Sequence, residues 1–131
     1  MEIVETPIKD LIVVCPDVFA DSRGYFTELY NENRYRAYGI DNNFVQDNLS
    51  RSSYGVVRGL HLQKDESAQA KLVKVIVGKV WDVAVDLRQG SSTYGEWFGV
   101  ELSDENHLQF HKKSDCFLHN RPFHYWTHSP L

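Results

Sequence analysis

The stretch AKLVKVIVGKVWDVAVDL, residues 70–87, constrains the fold most. It holds two runs of strand character, AKLVKVIV (70–77) and KVWDVAVDL (79–87), on either side of Gly78. Side chains on a strand alternate between its two faces, so Lys71, Val73, Val75 and Val77 share one face. Glycine tolerates positive φ, and the two runs with Gly78 between them predict a tight hairpin. Other short runs surround them. LIVV (11–14) reads as a buried strand closed by Pro16, and YFTEL (25–29) alternates after the turn DSRG (21–24). FVQDNLS (44–50), GVVRGLHLQ (55–63) and EWFGVEL (96–102) complete the predicted strands. NENRYRAYG (31–39) is the one good helix candidate, with Asn31 as cap, Arg34 to Tyr38 as body and Gly39 at the left-handed end. Short strands with turns between them and one short helix predict an all-β sandwich or barrel.

A length of 131 residues suits one domain with one core, and 42 % apolar residues suffice to fill it. The net charge of -4 invites neither nucleic acid nor an anionic membrane, and no apolar run approaches membrane-spanning length. MEIVETPIKD does not read as a signal peptide, so Cys15 and Cys116 are expected as free thiols in a reducing cytosol. From His107 onward the character changes. Five of the six histidines lie there, sustained alternation stops, and no strand can be placed; an exposed, loosely ordered tail is the plain expectation.

Several side chains point to chemistry. His61 stands in an apolar strand with Val57, Gly59 and Gln63 on its face, and Gly59 leaves space beside the ring. Histidine titrates near neutrality, so His61 is a candidate base, and equally a satisfied structural residue. A metal site of the His-x-His kind would need a second histidine where Gln63 stands, so no metal is expected. Arg23 and Glu28 flank a turn, and Gln46 and Asn48 share a strand face with Asp47 between them. With Lys71, such groups suit a diphosphate and a polar ring, although each alone is also an ordinary solvated residue. Arg58 and His61 have opposite parity, so either Gly59 marks a bulge or Arg58 serves another site.

Taken together, FADSRGYFTE (19–28), QDNLS (46–50), GVVRGLHLQ (55–63), residues 69–97 and LSDENHLQ (102–109) resemble the dTDP-4-dehydrorhamnose 3,5-epimerase family, in order from residue 5 to about 110. The resemblance implies a cupin-type jelly roll, metal-free and without cofactor, forming a homodimer through its N-terminal strands in the cytoplasm. It implies epimerisation at C3 and C5 of a dTDP-4-keto-6-deoxy sugar, on the route to dTDP-L-rhamnose. His61 then matches the base and Lys71 the lysine beside the enolate oxygen, while Arg23, Glu28, Gln46, Asp47, Asn48 and Arg58 match substrate contacts. The family continues with an Ala-His-Gly motif, an acid tyrosine and an acidic partner for the base. Residues 111–131 follow another pattern and read as a divergent tail on the domain of residues 1–110. There His119, in CFLHNRP, stands near the expected histidine, and Tyr125 is the nearest tyrosine for the acid. The alternatives are a sugar-nucleotide ketoisomerase, a catalytically impaired or inactive sugar-nucleotide-binding homologue, and a metal-dependent cupin enzyme.

Overall fold

The computed structural model describes residues 1–63 and 68–113, with 117–121 as backbone. Among the described residues, ten strands and one helix follow in order. The first four strands are β1 (Glu2–Glu5), β2 (Leu11–Cys15), β3 (Val18–Asp21) and β4 (Gly24–Thr27), followed by α1 (Glu32–Ala37). Then come β5 (Arg58–His61), β6 (Lys71–Lys74), β7 (Lys79–Asp86), β8 (Trp97–Ser103), β9 (Gln109–Lys112) and β10 (Phe117–Arg121). One antiparallel sheet has the order β1-β2-β9-β6 and a second the order β5-β10-β7-β8, while β3 and β4 form a separate ribbon. Leu11 and Val13 of β2 and Phe110 of β9 share one buried cluster with Val80 and Ala84 of β7 and Leu102 of β8. The sheets therefore pack face to face as a sandwich of jelly-roll type.

The first sheet is covered on both faces. Its inner face carries Leu11, Val13, Phe110 and Val73 into the sandwich, and its outer face carries Ile12, Val14 and Leu72 against α1 and the segment after it. Helix α1 starts where the sequence places it: the Asn31 side chain accepts from the Arg34 N–H at 3.1 Å. Gly39 has φ +84, and its N–H donates to the Arg36 carbonyl at 3.0 Å. Buried Tyr35 anchors the helix to β9. Its hydroxyl donates to Gln109 Oε1 at 3.0 Å, and Gln109 Nε2 donates to the Leu29 carbonyl at 3.0 Å. A buried amide satisfied at both ends fixes the helix in position as apolar packing alone would not.

The fold departs from the sequence reading in five places. The expected hairpin across Gly78 is absent: β6 pairs with β9, and β7 pairs with β8 and β10. Gly78 does turn the chain at φ +82, but the turn carries it from one sheet to the other. Alternation tells which face of a strand is buried and leaves its neighbour open. Residues 40–57, including FVQDNLS, form neither helix nor strand, and Val45 and Leu49 stand 84 % and 86 % exposed. The strand expected over 55–63 shortens to Arg58–His61, and YFTEL contributes only through Thr27. Finally, the expected loose tail holds two strands, and β9 is buried at all four positions. Lying between β2 and β6 in a sheet covered on both faces, β9 has no exposed side to produce alternation.

Candidate active site

Strand β5 is the edge of the second sheet. His61 lies opposite His119 of β10, and Arg58 opposite Arg121. Three steps along β5 therefore match two along β10, which is a bulge in β5, and Gly59, at φ +128, sits within it. Directly opposed residues share a face, so the bulge returns Arg58 and His61 to the same side. The parity conflict between them is resolved by this extra residue. His119 in turn lies opposite Ala84 of β7, a core residue, so His61 faces the space between the sheets. His61 is exposed there. Arg58 is half-buried, and its Nη2 donates to the Arg51 carbonyl at 3.1 Å.

Lys71 approaches the same space from the other sheet. It opens β6 opposite Lys112 of β9, as Val73 lies opposite the core residue Phe110. Lys112 reaches across the sandwich to Asp82 of β7, with Nζ 2.8 Å from each carboxylate oxygen. Both side chains are almost wholly buried. Burial works against charge on both, pushing the Asp82 carboxyl up and the Lys112 ammonium down, while each holds its partner charged. The Lys71 charge also favours the ionised Asp82.

The remaining candidates are spread more widely. Arg23 sits at the tip of the β3–β4 ribbon, clamped to Asp21 with Nη2–Oδ2 at 2.6 Å and Nε–Oδ2 at 3.1 Å. That guanidinium holds the Asp21 carboxyl below its usual range. Glu28 follows β4, with its Oε1 3.3 Å from Arg34 Nε. It lines a shallow groove with Phe19, Phe26 and Arg34. Gln46, Asp47 and Asn48 are exposed in the irregular segment, where Gln46 Nε2 donates to Asn48 Oδ1 at 3.2 Å. The contact expected from a shared strand face is thus made by a loop. The His119 side chain, Tyr125 and Cys116 lie outside the described residues. Cys15 is a free, half-buried thiol that burial pushes up.

The sequence reading missed Asp82, Lys112 and His111. Asp82 carried a signal, because it shares the inward parity of Val80 and Ala84 on β7 and an acid there is anomalous. Lys112 and His111 carried none, since nothing in HKK marks a buried strand. On the outer face of the first sheet, His111 Nε2 stands 2.9 Å from Asn42 Oδ1, and Phe44 packs edge-on against the ring.

The family model described as dTDP-4-dehydrorhamnose 3,5-epimerase matches residues 5–116. The chain belongs to the dTDP-4-dehydrorhamnose 3,5-epimerase family. It is 52 % identical over 107 residues to the dTDP-4-dehydrorhamnose 3,5-epimerase of Methanothermobacter thermautotrophicus, covering 82 % of this chain and 57 % of that protein. It is 49 % identical over 110 residues to that of Shigella flexneri, covering 83 % and 61 %. The chain thus spans about three fifths of the length of these curated relatives. Among solved structures, the dTDP-6-deoxy-D-glucose-3,5-epimerase of Legionella pneumophila, in complex with dTDP-4-keto-L-rhamnose, aligns with a TM-score of 0.84 at 41 % identity. That match covers 96 % of this chain and 73 % of the Legionella protein. The sandwich is accordingly a cupin-type jelly roll, as expected of this epimerase family.

Proposed function

We propose that this member of the family epimerises C3 and C5 of a dTDP-4-keto-6-deoxyglucose, giving dTDP-4-keto-L-rhamnose for dTDP-L-rhamnose synthesis in the cytoplasm. The observation that carries the reading is that His61 and Lys71, on different sheets, turn toward one inter-sheet space. A ketone at C4 acidifies the hydrogens at C3 and C5, because the resulting anion delocalises onto the ketone oxygen. His61 takes each proton in turn. Lys71 supplies a fixed positive charge for the enolate oxygen, an electrostatic task worth several kcal/mol. Tyr125 returns a proton to the opposite face of the ring, and between the two inversions His61 gives its proton to solvent while Tyr125 takes one from it, so both groups are reset with no net change in protons. No step in this scheme calls on a metal or a cofactor.

Arg23, Glu28, Gln46, Asp47, Asn48, Arg58 and His119 bind the diphosphate, nucleoside and sugar in this reading. Arg23 and Glu28 lie on and after the β3–β4 ribbon, whose four β3 residues are all exposed. Phe19 and Phe26, 63 % and 68 % exposed, make that ribbon a natural seat for a second copy of the chain. A homodimer therefore belongs to the proposal, and gel filtration showing only monomer would count against it. Incubation with dTDP-4-keto-6-deoxyglucose, with the sugar followed by proton NMR, tests the activity. The 3,5-inverted sugar supports it. A product with the ketone moved along the ring would establish a ketoisomerase, and binding of dTDP with an unaltered sugar would establish a non-catalytic binder.

A further inference from the structure

The Lys112–Asp82 pair sits beside a residue of the proposed site and has no role in the mechanism above. Lys71 and Lys112 are directly opposed on neighbouring strands and share a face, which brings their stems within about 5 Å of each other. Lys112 is committed to Asp82 through both oxygens, and its Nζ also lies 4.8 Å from the Phe110 ring centroid. Two cations, buried Lys112 and half-buried Lys71, therefore act on one buried carboxylate. Around this space β7 contributes Asp82, β9 contributes Lys112 and β5 contributes His61, while β2 places the apolar Leu11 opposite Lys112.

We propose that Lys112 is a positioning residue for Lys71: by occupying Asp82, it sets how firmly Lys71 holds its proton. The inference rests on the reading of Lys71 as the cation beside the enolate oxygen. With Lys112 in place, Asp82 is already neutralised, and the charge of Lys71 is opposed by a like charge across the ladder. Without it, the like charge across the ladder is gone and the charge that Asp82 retains is shared with no other lysine of the pair, so Lys71 keeps its proton to higher pH. Lys112 thus fixes the upper pH limit at which Lys71 can serve as a cation.

The test uses the ligand-free protein and needs no turnover. Competitive acetylation with acetic anhydride across pH, read by mass spectrometry of the Lys71 peptide, gives the midpoint at which Lys71 becomes nucleophilic. Lys112→Met is expected to raise that midpoint by about one pH unit, or roughly tenfold slower labelling below it. Lys112→Arg keeps the charge and is expected to leave the midpoint in place. Should Lys112→Met fail to fold, Lys112→Gln is neutral, can still donate to Asp82, and is expected to shift the midpoint in the same direction. A midpoint unchanged in the neutral variant, or shifted equally by Lys112→Arg, overturns the proposal. Because no sugar nucleotide is present, this result stands apart from whether the chain is an epimerase.

Discussion

Asp86 closes β7 and organises the connection to β8, and replacing it with asparagine should be costly. The carboxylate is fully buried. It accepts from the Arg88 backbone N–H at 2.9 Å, from Arg88 Nε at 2.9 Å and from Arg88 Nη2 at 2.8 Å. The hydroxyls of Ser91 and Thr93 each donate to it at 2.7 Å. Arg88 then reaches Asp10 Oδ2 at 3.0 Å and the Lys9 carbonyl at 2.9 Å, tying this connection to the segment before β2. Asparagine keeps the volume, offers one acceptor oxygen and points an NH2 group at the donors. Breaking a buried pair by removing one partner costs about 3–5 kcal/mol. Asp10 still faces Arg88, so the lower end, about 3 kcal/mol, is expected. For a chain of this length that lowers Tm by about 10 °C. Arg88, first, and then the backbone N–H and the two hydroxyls hold the Asp86 carboxyl well below the usual carboxylate range. A depressed carboxyl contributes stability that is present above its unfolded value, near 4, and is lost as pH falls toward the folded value. The wild type should therefore lose stability steeply below about pH 4, and Asp86→Asn less so. Urea unfolding followed by circular dichroism, at neutral pH and at intervals down to pH 3, measures both effects. A variant within about 1 kcal/mol of wild type at neutral pH would refute the view that this network holds the loop.

Three further outcomes concern His111, Phe110 and Lys71. Burial, and next the Lys113 charge, pull His111 down to about 4; a depressed histidine weakens the fold as pH drops from about 6.5 to 4, by up to about 3 kcal/mol. Urea midpoints at pH 7 and 5 should show this loss in wild type and less of it in His111→Leu. Phe110→Ala empties the centre of the inter-sheet core and should cost about 3–5 kcal/mol in the same assay. Lys71→Met should lower kcat for epimerisation by about 10²–10³ with little change in dTDP binding by calorimetry, whereas a purely structural lysine would leave kcat within a few fold.

The parts of the fold legible in the sequence are those in which local chemistry and environment agree. Asn31 and Gly39 bound the helix because capping and left-handed geometry are local demands. Leu11 to Val14 formed a recognisable run because β2 lies in a sheet covered on both faces. The pairing of β6 with β9 was not legible, since it depends on partners 35 to 41 residues distant. Nor was β9 itself, because Gln109, His111 and Lys112 are polar residues made acceptable in the interior by Tyr35, Asn42 and Asp82. For the site, the Arg58–His61 parity conflict predicted a bulge as one of two solutions, and β5 carries it. The placement of His61 and Lys71 on opposing sheets follows from register, which no periodicity records.

The account turns on His61 as the group that removes protons next to the C4 ketone. Incubation with dTDP-4-keto-6-deoxyglucose in D₂O, with deuterium followed at C3 and C5 by NMR, tests this directly when His61→Ala is run beside the wild type. The account predicts deuterium at both carbons with the wild type and a loss of exchange by at least about 10² in the variant. Exchange of equal rate in His61→Ala, or none in a wild type that still binds dTDP, would contradict it.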